Sequence, residues 1–198
     1  MNPIIRFAEL RDAPAIREIY APYVLETPVS FEEVVPTEEE MVARIEAVRD
    51  RLPYLVCETD GIIAGYAYAS DYRTRSAYRW TKELSVYVRI EYHRHKIGWA
   101  LYHCLVRMLR IQGVKLLLAG ITIPNSESVG FHEKFGFSKA AEYLANGFKQ
   151  GKWHNVGWWQ MVLNPSDEAP APQIIPVSEI PEINLSAIFL EGIKLISL

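Results

Sequence analysis

Apolar residues recur at intervals of three and four between Ile97 and Leu109, at Ile97, Ala100, Leu101, Cys104, Leu105, Met108 and Leu109. That spacing lines one face of a helix, and Gly113 supplies its stop. The next stretch, residues 116–121, is almost continuously apolar, as in a strand covered on both faces. Toward the N-terminus, residues 4–9 alternate like a short strand. Asp12 is placed to cap a helix beginning near Ala13-Pro14, which would turn Ile16, Ile19 and Tyr20 inward. Thr37, with Glu40 three residues on, has the form of a capping box and opens a helix running to about Arg49. Residues 54–58 and 62–69 read as strands joined by Asp60-Gly61, a tight-hairpin signal. A further strand covers 83–88. A helix then runs from Ser126 to about Phe135, capped by Asn125 and ended by Gly136, and strands at 140–149 and 154–163 follow. The order β α α β β β α β α β β predicts a mixed α/β fold with one parallel crossover around the long helix.

Composition adds the boundaries. The chain has 198 residues, 49% hydrophobic and 23% charged, which fits one globular domain with a tail. A net charge of -3 gives no reason to expect a nucleic-acid partner. The predicted division places the domain at 1–163 and a Pro- and acid-rich tail at 164–198. Within the tail, 165–182 reads as an extended or disordered linker. The last stretch, 185–198, is apolar enough to pack on the domain or on a partner, with Leu185, Ile188, Phe189 and Ile193 on one stripe. The tail holds one basic residue, Lys194, and five acids. We expect it to be peripheral to catalysis. Cys57 and Cys104 read as small buried hydrophobes rather than a disulfide framework. The N-terminal residues lack a signal-peptide pattern, and no apolar run approaches the roughly 18 residues of a membrane span. A reducing cytoplasm is the expected compartment.

Two segments carry candidate chemistry. In residues 86–101 a strand passes through a basic loop, His93-Arg94-His95-Lys96, into the helix start at Ile97-Gly98-Trp99. Free amides and the positive dipole end of such a turn form an anion cradle suited to a diphosphate. The same pattern also fits a solvated helix start. In the second segment, His132 lies seven residues after Asn125 and so shares a helix side with Asn125 and Ser128. A lone helical histidine is either a partly buried structural residue or a proton carrier.

Together the two segments resemble the cofactor motifs of GNAT acetyltransferases. The later one reads Asn125-x-x-Ser128-x-x-Phe131-His132-x-Lys134-x-Gly136-Phe137 against the family's Asn-x-x-Ala-x-x-Leu-Tyr-x-Lys-x-Gly-Phe. In the earlier one, His93 stands at the family's Gln/Arg position, Lys96 at its first Gly, and Gly98 is retained. Residues 65–88, with Trp80-Thr81-x-Glu83 and then Val86-Tyr87-Val88, resemble the phosphinothricin-type subgroup. So do residues 147–157, where Asn155 stands at a usual Asp. The resemblance runs from about Ile5 to Leu163. It implies the GNAT acyltransferase fold, a central and mostly antiparallel sheet flanked by helices, with acetyl-CoA as co-substrate and no metal. It also implies a homodimer with substrate pockets near the interface.

The resemblance places the cofactor along Val86, Tyr87 and Val88, on the loop Arg94, His95, Lys96, Ile97, Gly98 and Trp99, and at Asn125. It places an amino-acid-like acceptor among Phe31, Arg73, Thr74, Arg75, Tyr78, Glu83, Leu84 and Ser85. Arg73 and Arg75 offer planar forks for oxyanions, although with Arg79 they also fit a solvated loop. An ammonium acceptor has no lone pair, so a base is required, and Glu83 is the candidate, directly or through one water. Its other reading is a strand-end carboxylate paired with Lys82 or an Arg. Backbone amides of a bulged strand near 86–88 are expected to hold the developing oxyanion, and His132 to assist the departing thiolate. Transfer is expected to be direct, since neither cysteine has a base beside it in sequence. The acceptor expected is an α-amine such as that of phosphinothricin. The alternatives are methionine sulfoximine, methionine sulfone or another small amine, and, in a different class, a GNAT-fold module that binds without turnover.

Overall fold

The structure is a computed structural model, and residues 2–165 and 173–197 are described. Its elements are β1 (Pro3–Phe7), α1 (Ala13–Leu25), α2 (Glu38–Val48), β2 (Tyr54–Thr59), β3 (Ile62–Asp71), β4 (Thr81–Val88), α3 (Ile97–Ile111), β5 (Leu116–Ile123), α4 (Ser126–Phe135), β6 (Ser138–Lys149), β7 (Lys152–Val162) and α5 (Glu182–Ile193). The seven strands form one sheet in the order β1-β2-β3-β4-β5-β7-β6. Every neighbouring pair is antiparallel except β4 and β5, the predicted crossover around α3.

Local chemistry sets most boundaries. Thr37 accepts from the Glu40 amide at 3.2 Å and the Glu40 carboxylate accepts from the Thr37 amide at 2.8 Å, the reciprocal box expected there. Asp60 and Gly61 take φ of 51° and 82°, the left-handed pair that a two-residue hairpin needs. Asn125 caps α4, and Gly136 ends it at φ 111°. The expected Asp12 cap is different. The Asp12 carboxylate does not bond the α1 amides; it accepts from the Glu9 amide at 2.8 Å and takes a two-pronged bond from Arg6 at 2.7 and 2.9 Å. A strong charge-assisted partner on β1 outcompetes the local cap.

Alternation along β2 divides the core in two. Leu55 and Cys57 join the cluster under α3, whereas Tyr54 and Val56 join the one under α1 and α2. The predicted stripe of α3 is buried, but so are Tyr102 and Val106 outside it. The extra cover comes from α5, which packs on α3 and β1. Leu185 and Ile188 are buried there, and Phe189 meets the edge of Phe7 at 5.5 Å. Gly192 touches α3 so closely that a Cβ would collide with Cys104 Sγ. Glu191 pairs with Arg107 at 3.0 Å and with His103 at 3.3 Å. Of the expected linker, residues 166–172 lie outside the described residues.

Candidate active site

The site begins with a fork in the sheet. β4 and β5 pair only at Thr81–Leu116, Lys82–Leu117 and Glu83–Leu118. Beyond Glu83 they part, while β4 runs on to Val88 and β5 to Ile123. No bulge causes this, contrary to expectation: β4 holds an unbroken antiparallel register with β3 from Lys82 to Val88. The Arg89 amide donates to Ala64 on the β3 side. In an antiparallel ladder the direction alternates, so the amides of Val86 and Val88 point away from β3, into the fork.

A cavity of about 560 Å³ continues from the fork. Val86, Val88 and Gly98 line it, with Phe131 and Trp99 as walls and His93, Arg94 and Lys96 at the mouth. Arg94 and Lys96 both have left-handed backbone, at φ 68° and 60°. The first amides of α3, which have no partner within the helix, belong to residues that line the cavity. His93 closes the loop: its Nε2 donates to the Val88 carbonyl at 3.0 Å, and the Tyr23 hydroxyl donates to the same oxygen at 2.7 Å. An ideal Cβ on Gly98 stands 3.6 Å from both Val86 and Val88, so the glycine keeps floor space rather than relieving a clash. Concave shape, the amides at the α3 start and the cationic side chains of Arg94 and Lys96 fit a diphosphate followed by a slender chain entering the fork. Glu127 is the acidic member of this lining.

Glu83 stands where the fork opens. Lys82, on the opposite strand face, is buried against Asp71 at 2.5 Å, so it is not the partner of Glu83. Among the described residues Glu83 has no ion pair, and burial raises its pKa above the usual carboxylate value. Its Oε1 lies 3.6 Å from the point where Gly120 would carry a Cβ, and Trp158 borders the same point. Trp158 meets Tyr72 edge-on at 6.0 Å, and Arg73 stacks on Tyr72 at 4.9 Å. Sequence reasoning missed Tyr72 and Trp158. It also missed Tyr68, the cross-strand partner of Ser85 on the same face of β4 as Glu83.

Several expected residues are elsewhere. The Tyr87 side chain packs among Tyr20, Tyr23 and Tyr66 on the face opposite Val86 and Val88, and Leu84 is buried in the α3 core. Asn125 spends its side-chain oxygen on the α4 cap and borders a second cavity with Pro28, Val29 and Thr122. Ile97 is buried but touches the main cavity, whereas His95 turns from it and bonds Ser197. Phe31 lies against Gly147, close enough that a Cβ there would collide with the ring. Arg73, Thr74, Arg75 and Tyr78 sit on the exposed 72–79 loop.

His132 requires a correction. A carbonyl can only accept, so His132 Nδ1 carries the proton it gives to Ser128 at 2.8 Å. Its Nε2 then accepts from the Tyr102 hydroxyl at 3.0 Å. Burial lowers the pKa and keeps the ring neutral. Both nitrogens are committed inside the fold, so the ring is not placed to donate to a leaving thiolate. Burial also pushes both Cys57 and Cys104 up to about 12, which leaves neither thiol as a nucleophile at neutral pH. Among the described residues no cluster of His, Cys, Asp and Glu is arranged to hold a metal ion, and no helix is long and apolar enough to cross a membrane.

A sheet split beside a basic loop and an unpaired, half-buried carboxylate fit the class of enzymes that draw an acyl group from a phosphate-bearing carrier. The acetyltransferase (GNAT) domain family matches residues 5–158, and the chain belongs to that family as an acetyl-CoA-dependent N-acetyltransferase. It is 38% identical over 178 residues to phosphinothricin N-acetyltransferase of Streptomyces viridochromogenes, covering 89% of this chain and 95% of that one. It is 35% identical over 170 residues to the L-methionine sulfoximine/L-methionine sulfone acetyltransferase of Salmonella typhimurium, covering 85% and 97%. Among solved structures, a phosphinothricin acetyltransferase from Sinorhizobium meliloti in complex with AcCoA superposes with a TM-score of 0.83 at 32% identity, over 90% of this chain and 98% of that one.

Proposed function

We propose that the protein acetylates the α-amine of a small, anionic, amino-acid-like acceptor of the phosphinothricin or methionine sulfoximine kind. The observation that carries this reading is Glu83, unpaired and desolvated where β4 and β5 part. In the proposed step Glu83 takes a proton from the acceptor ammonium, directly or through one water. The freed lone pair attacks the acetyl carbon. The amides of Val86 and Val88 hydrogen-bond the carbonyl oxygen as its charge grows, and the carbon–sulfur bond breaks as the second proton on the attacking nitrogen passes to the departing sulfur or to solvent water. No protein donor to sulfur is required, because a thiolate with a pKa near about 8.5 is already a fair leaving group. Tyr72 and Trp158 wall the acceptor, and Arg73 and Arg75 bind its anionic ends. The exposed apolar side chains Tyr143, Leu144, Phe148 and Trp153 on the β6–β7 arm support a homodimer, for which light scattering should give twice the chain mass.

The test is thiol release from acetyl-CoA with phosphinothricin, methionine sulfoximine, methionine sulfone and ordinary amino acids. The oxyanion-bearing analogues should give the highest kcat/KM. Arg75→Ala should raise the acceptor KM by about ten- to a hundredfold, the worth of one charge-assisted hydrogen bond, and leave the acetyl-CoA KM unchanged. Thiol release with none of the panel would favour the binding-module reading instead.

A further inference from the structure

The tail is acidic overall, yet its single basic residue, Lys194, borders a cavity of about 430 Å³ with Lys96, Trp99, Leu195 and Ser197. Lys96 and Trp99 also line the main cavity, so the two spaces adjoin at the cofactor loop. The segment is tied to that loop from both sides. The Ser197 amide donates to the His95 carbonyl at 3.1 Å, and His95 Nδ1 donates to the Ser197 carbonyl at 2.8 Å. Behind it, α5 is fixed on α3 by the Gly192–Cys104 contact and the Glu191–Arg107 pair. Neither Lys96 nor Lys194 has an ion-pair partner among the described residues. Two unpaired ammonium groups facing one space, with an indole and a leucine beside them, make a receptor for a phosphate attached to a planar apolar ring. Coenzyme A ends in that chemistry: beyond the diphosphate lies an adenosine with a 3′-phosphate.

We propose that the segment from α5 to Ser197 completes the cofactor site, with Lys194 and Lys96 binding the 3′-phosphate of acetyl-CoA and Trp99 and Leu195 walling its adenine. This rests on the diphosphate occupying the loop 94–99. It assigns the tail a binding role in place of the peripheral one expected from its composition.

Calorimetric dissociation constants for CoA and for 3′-dephospho-CoA, measured on the full chain and its variants, test this. Lys194→Ala should weaken CoA about two- to fivefold, as for loss of one exposed charge pair, and leave 3′-dephospho-CoA unchanged. Lys194→Arg should restore CoA binding. The unchanged constant for 3′-dephospho-CoA reports that the variant is folded. Gly98→Val should weaken both ligands alike. If Gly98→Val weakens both while Lys194→Ala weakens neither or both equally, the 3′-phosphate assignment falls and the groove reading stands. If Gly98→Val changes neither, the groove reading falls and takes this assignment with it.

Discussion

Glu83→Gln separates catalysis from stability, because the features that make Glu83 a base also make it a burden on the fold. The carboxylate is desolvated without a compensating partner among the described residues, and its pKa is raised by burial. In such a case the folded state binds the proton more tightly than the unfolded chain does. Stability is then greatest below the unfolded carboxylate pKa and falls as pH rises through the raised folded value. Glutamine keeps the shape and removes the charge, so the variant should melt at a higher temperature than the native protein at neutral pH. The gain should vanish in acid, where both side chains are neutral. Its kcat should fall by about 10²–10⁴, the usual worth of a general base, or roughly 3–5 kcal/mol of barrier. The deficit should shrink as pH rises and more acceptor amine loses its proton in bulk water. Steady-state kinetics between about pH 6 and 9, paired with melting curves from about pH 4 to 8, give both readouts. A structural role would move them together. Near-native kcat at neutral pH, or a lower melting temperature with lost activity, would refute the assignment.

Two further perturbations probe the supports of the site. Lys96→Gly should relieve about 1 kcal/mol of left-handed strain and raise the melting temperature by about 2–4 °C, while weakening CoA in calorimetry through the lost ammonium; a lower melting temperature would contradict the strain. Lys149→Met should loosen the loop carrying Phe31, because the buried Lys149 ammonium donates to the Val24 carbonyl at 2.5 Å and the Ser30 carbonyl at 2.7 Å. Two orphaned carbonyls should cost about 1–3 kcal/mol each in denaturant titrations and raise the acceptor KM with CoA affinity unchanged; an unchanged acceptor KM would detach that loop from the acceptor.

Features set by neighbours in sequence are legible in the chain alone. The Thr37–Glu40 box, the Asp60-Gly61 turn and the bounds of α4 each depend on a few adjacent residues, and each lies where the pattern puts it. Asp12 departs from its expected role because its partner, Arg6, sits on another element. At the site, the basic loop and Glu83 are visible as motifs. The face each strand residue presents is not: the motif groups Val86 and Val88 with Tyr87, although alternation sends the tyrosine ring to the opposite side. Tyr68, Tyr72 and Trp158 come near Glu83 only because β3, β4, β5 and β7 are neighbours in the sheet, and adjacency in chain order does not announce that. His132 matches a motif position, but its two nitrogens are claimed by Ser128 and by Tyr102 on α3. The role of the tail is hidden by its mean composition, since one lysine among five acids says little until it is seen beside Lys96.

The departures in the cofactor loop become intelligible in the same terms. A glycine at the position of Lys96 would serve two ends, a left-handed backbone and an absent Cβ. Lys96 keeps the first at a cost in strain, since its φ is 60°, and so the residues whose free amides open α3 still line the cavity. It gives up the second, but its side chain lies at the edge shared with the tail cavity rather than across the floor, which Gly98 keeps clear. His93, at a position where the family has Gln or Arg, closes the loop through the Val88 carbonyl instead of offering a long cation to solvent. What the loop must preserve is thus the position of its amides and the space above Gly98. The identity of the residue supplying the turn is free to change, and a lysine there adds a charge on the side where Lys194, just beyond α5, supplies another.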